Sequence, residues 1–150
     1  MLKIATWDDY QNIIAMISRF ASDSPYHDVY VDTGKLTNTV RGILEGDRAK
    51  SIILLYIVDD RIVGMLAATT SELVINYDKI AHELMWWVEP EYRGGRAGIE
   101  LLKAFEFWAK KIGCTKIQMS LVETEDAPKV QRIYTKFGYT PVERAFLKDI

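Results

Sequence analysis

Apolar residues along this chain switch repeatedly between the two-residue period of a strand and the 3.6-residue period of a helix. Residues 2–5 form a short strand candidate. Thr6 then fits a helix N-cap, with Asp8 and Asp9 in the first turn where the helix dipole favours acids. Tyr10, Ile13, Ile14, Ile17 and Phe20 recur at helical spacing, and residues 21–33, with Ser22, Ser24 and Pro25, read as a loop. Leu36, Val40, Ile43 and Leu44 mark the inner side of a second helix that Gly46 and Asp47 close. Residues 51–58 are an almost unbroken apolar run of strand length, which suits a strand buried on both faces. Asp59-Asp60 turns that strand into a second one over 62–70, where Gly64 predicts a bulge or close packing. Residues 71–81 are a connection in which Leu73, Val74, Ile75 and Tyr77 could add a short strand or a turn of helix.

The stretch over 83–109 is the most informative. Leu84-Met85-Trp86-Trp87-Val88 has strand length and composition, and Pro90 stops it because proline cannot donate to a sheet ladder. A turn with Arg93, Gly94, Gly95, Arg96 and Gly98 follows, and from Gly98 the period becomes helical through Leu101, Leu102, Phe105, Trp108, Ala109 and Ile112, up to Gly113. Strand, glycine-rich turn and helix together present unpaired backbone N–H groups to an anion, with the helix dipole and two arginines adding positive charge. A phosphate or pyrophosphate is the guest this chemistry suits. Neither the Gly-Lys-Ser/Thr of a Walker loop nor the G-x-G-x-x-G of a dinucleotide loop is present. Further on, Ile117, Met119 and Leu121 alternate with polar residues in a strand over 116–122. Asp126 and Pro128 start a helix with Val130, Ile133, Tyr134 and Phe137 inward, ended by Gly138. Residues 139–142 and 145–147 complete the strands. The order β-α-α-β-β-β-α-β-α-β predicts an α/β protein with a mixed sheet.

Composition narrows the function classes. At 150 residues, 49% hydrophobic and 27% charged, the chain fits one soluble globular domain over 1–150. A net charge of −2 without a lysine or arginine run argues against a nucleic-acid-binding face. Cys114 is the single cysteine, which excludes an internal disulfide and a cysteine-based zinc site, and no metal is expected. The N-terminus has no signal-peptide pattern and no apolar run approaches membrane length, so no membrane association and a cytoplasmic location are expected.

Val88-x-Pro90-x-Tyr92-Arg93-Gly94-x-x-x-Gly98 resembles the acetyl-CoA-binding motif of the GNAT superfamily of N-acetyltransferases. Tyr134-Thr-Lys-Phe-Gly138-Tyr139 resembles a second motif of that superfamily at the end of its last helix, and the element order matches along most of the chain. Two departures stand out. Arg96 occupies the position where the family usually has its first motif glycine, and Ala127 stands where it often has an asparagine that contacts the cofactor. The resemblance implies a mostly antiparallel central sheet flanked by helices, with a strand that splays from its neighbour before the pyrophosphate loop. Residues 85–88, including Trp86, Trp87 and Val88, would bond the pantetheine arm of acetyl-CoA like an added strand. Arg93, Gly94, Gly95, Arg96, Ala97 and Gly98 would hold the pyrophosphate.

The implied reaction is transfer of an acetyl group from acetyl-CoA, as cosubstrate, directly to a primary amine on a small molecule or on a protein lysine or N-terminus. Tyr134 is the candidate general acid to the departing thiolate, although its helical spacing also fits a core tyrosine. Glu83, at the start of the predicted strand, is the candidate general base. His82 is the alternative base, and as sequence neighbours in a strand the two should point to opposite faces. The implied partners are acetyl-CoA and an amine acceptor, with a homodimer possible. The competing reading is a non-catalytic acyl-CoA-binding or regulatory module on the same fold, to which the changes at Arg96 and Ala127 lend weight. Asp23, Asp28, Glu123 and Glu125 could attract a cationic amine or remain solvated surface charges.

Overall fold

The computed structural model describes residues Met1–Ile150, which divide into two compact units, Met1–Ser120 and Leu121–Ile150. The first unit carries a five-stranded sheet in the order β1-β2-β3-β4-β5, in which neighbours in space are neighbours in sequence. Its strands are β1 (Leu2–Ile4), β2 (Ser51–Val58), β3 (Arg61–Glu72), β4 (Lys79–Val88) and β5 (Lys116–Gln118). The first three pairings are antiparallel and β4–β5 is parallel, so the sheet is mixed and mostly antiparallel, as the sequence predicts.

Alternation along the strands assigns the two faces. Ile53 and Leu55 of β2, Met65 and Ala67 of β3 and Trp87 of β4 point to one side, where they form a core with Ile13 and Met16 of α1 (Tyr10–Ser22) and Val40 of α2 (Thr33–Glu45). Leu66 and Ala68 point the other way and are fully buried, as are Leu101, Leu102 and Phe105 of α3 (Arg96–Lys111). Both faces of β2 and β3 are therefore covered, which is why these strands read as continuous apolar runs.

Local signals hold at several junctions. Asp9 accepts from the backbone N–H and the hydroxyl of Thr6, at 2.9 and 3.2 Å, and from Lys3 at 2.8 Å, fixing a 3-10 turn (Trp7–Asp9) ahead of α1. Asp32 caps α2 by accepting from the N–H of Lys35 at 2.8 Å. The β2–β3 register shifts where Tyr56 faces Gly64 and Ile57 faces Ile62, so the expected irregularity at Gly64 is present, with Leu101 directly over it.

Three elements differ from the sequence pattern. The 71–81 connection is strand at both ends: β3 continues to Glu72 and β4 begins at Lys79, leaving a turn over 73–78 closed by Leu73 N–H to Asp78 O at 3.0 Å. Ladder bonds to β3 recruit the polar start of β4, which apolar periodicity alone could not mark. Strand β5 covers Lys116–Gln118, not 116–122, because the Ser120 N–H is taken by the Glu83 carboxylate. The expected strands at 139–142 and 145–147 do not form: Pro141 removes a donor, and Val142, Phe146 and Leu147 are exposed without a ladder partner.

The second unit is built on α4 (Ala127–Lys136), with Pro128 in its first turn and Gly138 at φ 88° just past its end. Tyr139 N–H bonds back to Tyr134 O at 3.0 Å, closing the helix as a Schellman motif does. Arg144 and Glu123 pair at 2.8 Å across the surrounding coil.

The β2–β3 turn places both Asp59 and Asp60 in the left-handed region, at φ 47° and 61°. A side chain there costs about 1 kcal/mol or more relative to glycine. Asp60→Gly is expected to raise the unfolding free energy by about 0.5–1 kcal/mol, read as a higher urea midpoint at unchanged slope.

Candidate functional site

Strand β4 pairs with β3 along nearly its whole length, but β5 accompanies its other edge only where Ile80, Ala81 and His82 face Lys116, Ile117 and Gln118. From Glu83 to Val88 no strand of the sheet occupies that edge. Two features open it. Leu84 is an extra residue: register passes from Ala68 opposite Glu83 to Ala67 opposite Met85, and such a bulge bends and twists its strand. Glu83 then takes the Ser120 N–H at 3.2 Å, so the chain after β5 bonds to a side chain rather than to the β4 backbone. Leu84 is 51% exposed at the bulge.

Glu83 lies within β4, four residues from its start, and not at the strand start as its sequence position implied. It is half-buried. Burial pushes its carboxyl up from the ordinary 4.5 to about 7, against the lowering effect of the Ser120 N–H. That places proton exchange near neutrality, which a general base requires. His82 faces the other side, as strand alternation demands, and its Nε2 lies 2.7 Å from Ser71 Oγ. The two candidate bases are thus separated by the sheet.

Past Val88 the chain enters a 3-10 turn (Pro90–Tyr92), then Arg93, Gly94 at φ 79°, and Gly95 as the N-cap of α3. Only a residue without Cβ takes that φ at little cost, which accounts for glycine at 94. Helix α3 starts at Arg96, two residues before the sequence pattern indicated, so Gly98 lies inside its first turn. Gly95, Arg96, Ala97 and Gly98 accordingly carry N–H groups with no intrahelical acceptor, and no side chain caps them. Such a set of donors suits an anion. Arg96 is exposed and forms no ion pair, although a cation at a helix N-terminus opposes the dipole. Arg93 points back: its Nε donates to Val88 O at 2.9 Å, and its guanidinium lies 4.6 Å from the centre of the Trp87 ring. Its side chain braces the loop and its charge stays beside it. An open depression of about 330 Å³ adjoins the loop, bounded by Tyr92, Arg93, Gly95, Arg96 and Ala97 with Tyr56 and Val58 of β2.

Trp86 and Trp87 diverge. Trp86 packs under the first turn of α3, where a Cβ on Gly98 would lie 3.2 Å from its Cζ2 and 3.6 Å from Val88 Cγ2. Trp87 enters the α1–α2 core with Phe20 on its edge at 6.2 Å. Its indole N–H is buried in that core without an acceptor.

Tyr134 belongs to the second unit. It is buried on α4, and its ring lies 5.7 Å from that of Tyr139 at 49°. Ala127 is also buried, at the first position of α4. Sequence reasoning missed the Leu84 bulge, the Ser120 N–H on Glu83, and an ion pair between Arg19 and Glu89 at the loop entrance. An acid at the head of an apolar, aromatic run was the available signal for the second.

The model of the Acetyltransferase (GNAT) family matches residues 7–139, and the chain belongs to that family. A transcriptional regulator from Bacillus halodurans C-125 has a similar solved structure, with a TM-score of 0.81 and 19% identity over 100% of this chain and 99% of that one. An aminoglycoside acetyltransferase from an uncultured soil metagenomic sample gives 0.77 at 15% identity, over 100% and 97%. Ribosomal-protein-alanine N-acetyltransferase from Brucella melitensis gives 0.74 at 13%, over 100% and 99%. At these identities the likeness is one of fold. No curated protein matches the chain by sequence.

The contact under Gly98 generates a prediction. Gly98→Val should push α3 away from Trp86 and Val88 and lower stability by about 1–3 kcal/mol, measured as a lower denaturation midpoint.

Proposed function

We propose that this chain transfers an acetyl group from acetyl-CoA to a primary amine. The observation that carries the reading is the open edge of β4 beside an uncapped helix N-terminus. An extended amide-bearing arm ending in a pyrophosphate matches both: backbone groups of residues 84–88 can pair with the arm, and N–H groups of 95–98 can receive the phosphates. The exposed Arg96, with no ion pair, fits the same guest.

Acetyl-CoA supplies the activated acyl group, and this chain's side chains manage the protons around it. Glu83, ionised above neutrality, takes the proton that an ammonium must lose before its nitrogen is nucleophilic. A backbone N–H of β4 along its open edge would donate to the acyl oxygen as it gains charge. Tyr134, assigned by its motif on α4, would return a proton to the sulfur. Among the relatives by fold, one is named for an aminoglycoside and one for a ribosomal-protein alanine, so an amine acceptor is common ground. Asp23 and Asp28, both exposed in the α1–α2 connection, favour a cationic acceptor, whereas Asp32 nearby is committed to capping α2.

A screen of amines with acetyl-CoA, followed by release of free thiol, tests the reading. With an acceptor found, turnover should rise with pH through about 7 as Glu83 loses its proton, and Glu83→Gln should remove that limb and lower kcat by about 10²–10⁴. Stability should move the other way. Because the folded carboxyl holds its proton to higher pH than the unfolded one, the group's contribution declines from pH 4.5 towards 7, and Glu83→Gln should flatten that decline.

Tyr134→Phe should lower kcat by about tenfold or more with acetyl-CoA affinity kept. Wild-type binding of acetyl-CoA with no thiol release for any amine, unaltered by either substitution, would favour a non-catalytic acyl-CoA-binding module.

A further inference from the structure

The last turn of α1 meets the entrance of the glycine loop through two adjacent residues. Arg19 donates from Nε and Nη2 to one carboxylate oxygen of Glu89, at 3.0 and 2.5 Å. Phe20 presses on Trp87 edge to face, at 89° between ring planes. Glu89 is the residue at which β4 becomes loop: its N–H donates to Val63 O at 2.9 Å, and its carbonyl accepts from Tyr92 N–H at 2.9 Å. Its side chain is only 12% exposed, against 50% for Arg19. A carboxylate that covered depends on its cation, and losing the partner leaves it desolvated and unpaired.

The far side of the same loop is braced too, since Arg93 lies on Trp87 and bonds Val88 O. Gly94-Gly95 follow directly after the braced segment and lead into α3, and they are the part of the loop with the most conformational freedom to lose.

We infer that Arg19 is a positioning residue for the cofactor: through Glu89, and with Phe20 backing Trp87, it holds the β4–α3 loop so that its N–H groups converge on phosphate. The inference rests on the acetyl-CoA reading above. It assigns Arg19 no contact with the ligand. Its contribution is preorganisation, because a loop already held in its binding shape loses less freedom when the ligand arrives. A surface ion pair acting on stability alone would contribute little and would leave ligand affinity where it was.

The test compares wild type, Arg19→Ala, Arg19→Lys and Glu89→Gln by calorimetric titration with acetyl-CoA and by melting with and without it. Arg19→Ala and Glu89→Gln should each weaken acetyl-CoA binding by about threefold to thirtyfold and shrink the ligand-induced rise in Tm. Arg19→Lys, which keeps the charge but not the two-nitrogen donor, should recover part of the loss. The double variant Arg19→Ala/Glu89→Gln should lose little more than either single one. Unchanged Kd in both single variants would overturn the inference, even if their unliganded Tm fell. Should Arg19→Ala fail to fold, Glu89→Gln carries the same comparison. Wild type that binds no acetyl-CoA would remove the cofactor reading itself, and the inference with it, a result distinct from wild type and variants binding alike.

Discussion

Strand β4 is bonded along both edges for only three residues, and much of the candidate site follows from where that double pairing stops. At Ile80–His82 it is an interior strand of a mixed sheet; beyond, it is an edge. An edge normally invites a further strand, and proteins cover or blunt such edges. Here the edge is kept short and is held open from both sides. Leu84 bulges out of the β3 ladder, and the Glu83 carboxylate draws off the Ser120 N–H that would otherwise seek a backbone acceptor. One side chain therefore ends the β4–β5 pairing and stands at the mouth of the opening with a carboxyl pushed up to about 7. Burial thus both disfavours the charge of Glu83 and raises its pKa to a range that suits the base proposed above.

The second constraint is electrostatic. Helix α3 begins uncapped, with an arginine where the dipole favours an acid. Taken alone, that arrangement destabilises the helix end. An anion received there would offset it. The first part of the loop is meanwhile tied to the rest of the first unit, by Glu89 to α1 and by Arg93 to β4, so its flexible glycines run from a fixed segment into α3.

Much of this was legible from the chain. Periodicity located the four helices and the long strands, because each buries a face against a regular neighbour and so shows a clear period. The glycine-arginine turn after Val88 and the Tyr134-Gly138-Tyr139 end of α4 pointed to the family that the match over 7–139 establishes. What stayed hidden depended on partners rather than on pattern. The polar start of β4 is strand only because β3 is beside it, and β5 stops early because of a carboxylate far away in sequence. The stretch after Tyr139 has apolar residues of strand type, yet with Pro141 and no ladder to join it stays coil. The α3 start moved from Gly98 to Arg96 because Arg96 and Gly98 carry no apolar period and Ala97 alone is too little to mark the first turn. The bulge at Leu84 leaves no mark in a sequence at all: leucine is ordinary in a strand, and only the register reveals the extra residue.

The central claim is that the open β4 edge and the α3 N-terminus together receive one ligand. Amide hydrogen exchange in the presence of acetyl-CoA tests it most directly, with ATP at equal concentration as the comparison. The account predicts slowed exchange in two separated stretches at once, residues 84–88 and 94–98, with acetyl-CoA, and at most the second with ATP. Protection by acetyl-CoA that left 84–88 exchanging as in the free protein would contradict it, because the strand edge would then have no part in binding.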